Sequence, residues 1–481
     1  MVSKDLIFTF RYADWALATS LEIMASGIVR GDHLDWVDWT GKFQKRWEFP
    51  ISDRARIIET KMRIKQSRLI QKLNNLGEVG QLRYVSSTPF QLEKTLESER
   101  LAHEVAYLEL ISTLRESAPI AKDHESELSD FAFTFKRTFN AAISLLQKER
   151  PHQVYIYNGR FLQERAVWEA CLKLSIPVVF FEKFNPNWVD RYFLFNEPVH
   201  SLRYRSSIMD EFGTSLFQMN ASELECVGEQ WFQDRRLGKS QVHTKNQVLA
   251  SGFDSVKPYF VFFHSSEDEL ITTELSSNLW GNQMTALRTL IKVMSRIGTY
   301  DLVVRLHPNL MYKSNREIRI WENFSQEVMQ DFPWVNFIAP SSDISSYRLI
   351  DQAVGILTVG STIGVEAAFF ERKSILLGKA FHEHMEITQN PSSEMELEQF
   401  IVEDLPREIV MKSKHNALKY AVFHSQGGTR FTYIRHLTKR KKPTYYFQDF
   451  KISRSLGVSI LMRIDVKLRP FINFHKKVLG L

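Results

Sequence analysis

Between residues 259 and 377, short apolar runs alternate with helical patterns, and this rhythm constrains the fold more than any other feature. Runs of β-branched and aromatic residues stand at 259–263, 302–306, 335–338, 355–359 and 374–377. Helical spacing fills 283–297, a stretch beginning near 317, then 345–352 and 364–370. Strands separated by helices pair in parallel, because a helical crossover returns the chain to the same edge of the sheet. Near-continuous apolar strands also mean a sheet covered on both faces. The expected fold class is therefore α/β, with a Rossmann-type sheet in this half of the chain.

The N-terminal half opens in the same way. A β-like run over 5–10, a helical pattern over 13–28 and a second run over 33–39 read as a βαβ start. Long charged helical patterns at 52–75, 91–115 and 128–149 follow, and we expect them as a helical insertion within about 52–149. Neither of the first two keeps an apolar heptad, so a coiled coil is not expected. The rhythm resumes with a strand at 154–157, a turn, a helix at 161–174 and a strand at 177–181. Residues 238–258 are polar and aperiodic and read as a linker. The expected organisation is a first Rossmann-like lobe over 1–240, a second over 258–430, a cleft between them, and a separate tail over 431–481.

At 481 residues the chain has room for two to four domains. Hydrophobic residues at 44% and charged residues at 25% exclude bulk disorder. Two cysteines exclude a disulfide framework and a four-cysteine zinc site, and suit a reducing cytoplasm. No run approaches the ~20 apolar residues of a membrane span. Arg11 and Asp14 interrupt the N-terminal apolar stretch before a signal-peptide core could form.

The tail carries the net charge. From Arg435 to Leu481 there are twelve lysines and arginines against Asp449 and Asp465 alone. Leu456, Ile460, Ile464, Leu468, Phe471, Phe474 and Val478 recur among them at helical spacing, although Pro470 should break that helix. A basic amphipathic segment suits an anionic membrane surface. The alternative is a terminal helix packed on the first lobe. No nucleic-acid motif accompanies the charge, so no nucleic-acid partner is expected.

Three stretches of the second lobe could carry chemistry. In 357–367 a strand ends at Val359, turns through Gly360, and enters a helix past Ser361 and Thr362. The hydroxyls can cap that helix, and exposed amides at its start suit a phosphate. Glu366 follows about one and a half turns on, where a carboxylate can meet a ribose; an incidental helix glutamate is the alternative. The stretch is neither a GxGxxG fingerprint nor a Walker A loop. In 302–309 a strand delivers His307 to its C-terminal end, Pro308 stops it, and Arg305 adds charge. In 262–269, Ser265 and Ser266 can face a phosphate, and the following acids suit a helix N-terminus. In the first lobe, Asn158 and Arg160 follow one strand and Glu182 ends the next. Arg160 can bind an anion and Glu182 is a candidate general base, with surface salt bridges as the alternative for each. Arg11, after the first strand, joins Asn158 and Arg160 as an expected acceptor contact.

Arg305-Leu306-His307-Pro308-Asn309 followed by 359–367 (Val-Gly-Ser-Thr-Ile-Gly-Val-Glu-Ala), with Pro340, Asp343, Ile344 and Tyr347 between them, resembles the bacterial capsule polysaccharide biosynthesis family. That family includes Kdo transferases and is related in shape to GT-B sialyltransferases. The resemblance is specific over about 259–377 and looser elsewhere. It implies a GT-B fold whose second lobe holds a nucleotide sugar, CMP-linked or alternatively UDP-linked. By the same resemblance His307 and Pro308 meet the donor phosphate, Ser361 and Thr362 hold phosphate or nucleotide, and Glu366 contacts ribose. The function so implied is an inverting glycosyltransferase acting on a surface glycan or glycolipid, at the inner face of the cell membrane. The rivals are a sugar-nucleotide epimerase and a non-catalytic assembly or export factor. With no Asp-x-Asp at a strand end of the second lobe, neither a metal nor a resident cofactor is expected.

Overall fold

A computed structural model describes residues 4–10, 14–39, 67–85, 96–183, 189–199, 201–215, 219–239, 253–271, 279–439 and 442–452. The chain divides into two compact units: Met1–Ala106, His124–Val199 and Gly428–Leu481 form the first, and Tyr107–Asp123 and His200–Gly427 the second.

The first unit is built on β1 (Lys4–Thr9), β2 (His33–Asp38), β3 (Gln81–Val85), β4 (Val154–Tyr157), β5 (Val178–Glu182) and β6 (Arg191–Phe195). With β12 (Thr429–Arg430) they make one sheet in the order β12-β6-β5-β4-β1-β2-β3. Pairing is parallel from β5 through β3, and β6 and β12 close one end antiparallel. Helix α1 (Asp14–Arg30) covers one face, where Leu21, Met24 and Ile28 pack against Ile7, Trp36 and Tyr155. The expected all-helical insertion instead contains β3. Its alternation of exposed Gln81 and Arg83 with buried Leu82 suits an edge strand, and Arg83 donates to Asp35 on β2. The helical patterns after it become α2 (Leu96–Leu114) and α3 (Glu125–Glu149), while residues 40–66 lie outside the described ones. Helix α4 (Leu162–Lys173) joins β4 to β5.

The second unit holds the sheet expected from the sequence. Strands β7 (Tyr259–Phe263), β8 (Asp301–Arg305), β9 (Val335–Ile338), β10 (Gly355–Thr358) and β11 (Lys373–Leu376) are all parallel, in the order β11-β10-β7-β8-β9. Both faces are covered. Phe260, Phe262, Val304 and Leu357 pack with Leu290 and Trp321, and Val261, Val303 and Ile356 pack with Tyr347, Ile350 and Ala367.

The boundary expected at residue 240 falls instead at Val199. Helices α5 (Leu202–Ser215) and α6 (Ala221–Arg236) belong to the second unit. The reason is packing that no local pattern encodes. On α6, Phe232 stacks on Phe369 at 4.0 Å, and a Cβ on Gly228 would come 2.7 Å from Leu418. The remaining helices of this unit are α7 (Glu267–Ile271), α8 (Gln283–Ile297), α9 (Asn315–Asp331), α10 (Ser346–Gln352), α11 (Ile363–Phe369), α12 (Glu394–Val402) and α13 (Arg407–Gln426).

The expected tail also divides differently. Residues 434–439 and 442–452 form an antiparallel sheet of β13 (Ile434–Lys439), β14 (Lys442–Phe447) and β15 (Phe450–Ile452) that packs on α1 within the first unit. Ile434, Tyr445, Phe447 and Ile452 alternate inward, so strand periodicity prevails over the local basic charge. Glu22, buried on α1, accepts the backbone N–H groups of Thr432, Tyr433 and Ile434 at 2.6, 2.9 and 2.9 Å. Residues 453–481, which carry the amphipathic pattern, lie outside the described residues. Among the described residues, no helix is long and apolar enough to cross a membrane.

Candidate functional site

The second sheet gathers the expected residues through its register. Thr358 pairs with Phe263, Phe263 with Arg305, and Arg305 with Ile338. The loops after β10, β7 and β8 therefore leave the sheet at one level along its C-terminal edge. The chain runs from β7 outward through β8 and β9, then crosses back to place β10 on the other side of β7. The crevice between β7 and β10 is the topological switch point, where ligands bind in open α/β sheets.

On the β7 side the backbone of Ser265 is clamped. Its N–H donates to Gln283 Oε1 at 2.7 Å, and Gln283 Nε2 donates to its carbonyl at 3.0 Å. The hydroxyl oxygens of Ser265 and Ser266 are buried without a hydrogen bond. A buried unsatisfied polar group costs about 1–3 kcal/mol, so these two hydroxyls, on adjacent residues, have donors available to a bound group.

His307 caps the 3₁₀ turn Pro308–Tyr312. Its Nδ1 accepts the Asn309 N–H at 3.0 Å, which in the neutral ring leaves the proton on Nε2 and makes that atom a donor. The His307 N–H donates to His264 Nδ1 at 3.1 Å. His264 is buried against the Trp321 ring at 4.3 Å, and burial holds its pKa well below the ordinary histidine value, with His307 and Lys313 adding to the shift. It is thus a neutral acceptor. Pro308 occupies the first position of the turn, where a missing N–H leaves no bond unmade.

Three expectations need correction. Arg305 does not present charge to a donor phosphate. It is buried, it donates to the Ala339 carbonyl and to Ser342 O at 3.1 Å, and burial lowers its pKa to about 10. It holds the turn after β9, because a β8 side chain at that register points across the adjoining loop.

The amides after β10 are not exposed either. Thr358 Oγ1 accepts the N–H groups of Gly360 at 3.4 Å and Ser361 at 3.0 Å, and Ser361 Oγ accepts that of Ile363 at 3.3 Å. Ser361 caps the turn, whereas the Thr362 hydroxyl makes no cap bond and accepts from Arg235 Nη2 at 3.2 Å. The fully buried Thr358 side chain satisfies the amides locally.

Glu366, expected at a ribose, is 1% exposed. Its Oε1 accepts from Arg235 Nε at 3.0 Å and Nη2 at 2.7 Å, and its Oε2 from the Tyr347 hydroxyl at 2.5 Å. The face of α11 that carries it turns inward against α6 and α10. Glu366 therefore anchors the turn through Arg235.

In the first unit, Asn158 and Glu182 come together. Asn158 has a left-handed φ of 56°, which asparagine tolerates, and its Nδ2 donates to Glu182 Oε2. Glu182 Oε1 accepts the Lys183 N–H at 2.7 Å, and Asn158 Oδ1 accepts the Arg160 N–H at 3.2 Å. The Arg160 guanidinium lies 5.0 Å from the centre of the Phe161 ring. Arg11 lies outside the described residues. Lys183, missed in the sequence, sits beside Glu182 with its pKa lowered to about 8 by burial, against the opposing pull of Glu182. Arg235, His264 and Gln283 were also missed, since their roles rest on contacts across the fold. Among the described residues no group of three or more His, Cys, Asp or Glu side chains is placed to hold a metal.

Fold and edge define an α/β protein with two Rossmann-type sheets, the second of them wholly parallel and gathering hydroxyl and imidazole groups along its C-terminal edge. The chain resembles the capsule polysaccharide biosynthesis protein family, whose model matches residues 232–424. No curated protein matches it. Similar solved structures include the Thermosulfurimonas dismutans KpsC β-Kdo 2,4 transferase, at 11% identity over 56% of this chain and 80% of that one, TM-score 0.36. The KpsC β-Kdo 2,7 transferase of the same organism is similar at 12% identity over 58% and 78%, TM-score 0.35. S. aureus MnaA, in a structure with UDP, is similar at 12% identity over 88% and 94%, TM-score 0.30.

Proposed function

We propose that this protein is an inverting glycosyltransferase that takes a sugar from a nucleotide donor, CMP-linked before UDP-linked, and places it on a surface glycan or glycolipid. One observation carries the reading. The register of β10, β7 and β8 brings Ser361, the unsatisfied Ser265 and Ser266 hydroxyls, and His307 to one C-terminal sheet edge, inside the segment that matches the capsule family. There the hydroxyls and His307 Nε2–H would hold the nucleotide phosphate and stabilise its charge as it leaves. Glu182 is the carboxylate proposed to take the proton of an acceptor hydroxyl. The basic residues of 453–481 are proposed to draw the protein to anionic lipid.

A thermal-shift panel of CMP, UDP, GDP and dTDP tests the reading, with CMP expected to protect most. Product analysis with donor alone then separates transfer from epimerisation. No protection by any nucleotide would favour a non-catalytic assembly factor instead.

A further inference from the structure

The loops after β7 and β8 are tied to each other at two points, and the residues proposed to meet the donor lie between the ties. The first tie is the His307 N–H donating to His264 Nδ1 at 3.1 Å. The second is an ion pair between Lys313, which closes the 3₁₀ turn begun at His307, and Asp268 on α7. Both side chains are sealed from solvent, at 1% for Lys313 and 4% for Asp268. Between the ties stand Ser265 and Ser266 on one loop and the His307 ring on the other.

A buried ion pair is a poor source of stability, because desolvating two charges offsets most of their attraction. Its surroundings are already acidic: Glu267 is buried next to Asp268, with its pKa raised by that burial, and its carboxylate accepts the Gln283 N–H at 3.1 Å. Glu317 at the start of α9 accepts the Ser117 N–H at 3.1 Å and the Ser117 hydroxyl at 2.9 Å. Glu317 thus has hydrogen-bond partners of its own, and the partner of Lys313 is Asp268, on the helix that follows the serines. The pair does what apolar packing would not: it fixes one loop's distance and orientation against the other.

We propose that Lys313 and Asp268 are positioning residues that hold the His307 imidazole at a set distance from the Ser265 and Ser266 hydroxyls. The proposal rests on the donor-phosphate reading of these residues for its catalytic consequence, but not for its structural one.

The test uses the full chain and the double variant Lys313→Met with Asp268→Asn, which removes both charges with little change in volume, so that neither charge is left buried and unpaired. CMP release from CMP-activated Kdo gives kcat and KM. Long-range 1H–15N spectra of histidine-labelled protein report the His307 ring, with His307→Gln assigning the signal. A loss of about 10–100-fold in kcat with KM within about threefold is expected, the scale of an ångström's misplacement. The His307 ring, a single Nε2–H tautomer in the wild type, should become a mixture of tautomers in the variant. An unchanged His307 signal together with kcat within twofold of wild type would overturn the proposal. If the wild type releases no CMP, the CMP-linked donor fails, and the ring spectrum alone decides: a mixed tautomer upholds the positioning pair and an unchanged one removes it.

Discussion

Arg235 places two N–H donors on Glu366 and a third contact on Thr362, so one guanidinium from α6 holds both the start and the first full turn of α11. The pair is well sealed, with side-chain exposures of 16% and 1%. Arg235→Met leaves the Glu366 carboxylate buried with Tyr347 alone, and breaking such a pair costs about 3–5 kcal/mol. Urea unfolding of the variant should show a loss of this size. A loss under about 1 kcal/mol would mean that Glu366 is free to relax toward solvent, as a ribose ligand would need.

His307→Ala should lower turnover by about 10²–10³-fold, the scale of removing one preorganised donor to developing charge. The variant also leaves the Asn309 N–H without its acceptor, worth about 1 kcal/mol, so it should stay folded. Circular dichroism and CMP release measured on the same preparation check both halves. Turnover like the wild type would take His307 out of the mechanism.

His382 is buried beside Tyr420 and His384, and burial lowers its pKa to about 4. In the unfolded chain it titrates at its ordinary value of 6.5. Below that value the unfolded state binds the extra proton, so stability falls as pH drops from 6.5 toward 4, at up to ~1.4 kcal/mol per pH unit for this group. Denaturation at pH 7 and pH 5 should show the fall, and His382→Phe should reduce it by about one histidine's share. An identical pH dependence in the variant would place a charge on His382 in the folded state.

Lys183 carries a pKa lowered to about 8 by burial. Its amine should therefore react with acetic anhydride at neutral pH well ahead of ordinary surface lysines, with a labelling midpoint near 8. Mass spectrometry of the labelled peptide reads this directly, and a midpoint near 10.5, the ordinary lysine value, would contradict the burial seen here.

What was legible in the sequence follows from the range of the forces involved. Strands β7, β8 and β10 announce themselves because a strand buried on both faces must be apolar throughout, and His307 and Ser361 follow those strands directly. Strand β3 was missed because an edge strand shows only Leu82 buried among polar neighbours. Arg235 and Glu366 stand 131 positions apart, so their pairing is a fact of packing between α6 and α11 and leaves no trace in spacing. The same holds for α5 and α6, whose assignment to the second unit depends on Phe232 meeting Phe369. The terminal strands were hidden in a different way. The charge of Arg435, Lys439 and Lys442 dominates the composition there, while the alternation of Tyr445 and Phe447 decides the fold.

Calorimetric titration of the full chain with CMP and with UDP, beside the Ser265→Ala/Ser266→Ala double variant, tests the central claim most directly. The two hydroxyls are expected to donate to the nucleotide phosphate, and a hydrogen bond to a charged group is worth about 1.5–3 kcal/mol. The wild type should bind CMP and the variant should bind it at least about tenfold more weakly, with both proteins melting alike. Equal affinity in the two proteins, or no binding of either CMP or UDP by the wild type, would contradict a donor phosphate at the C-terminal edge of this sheet.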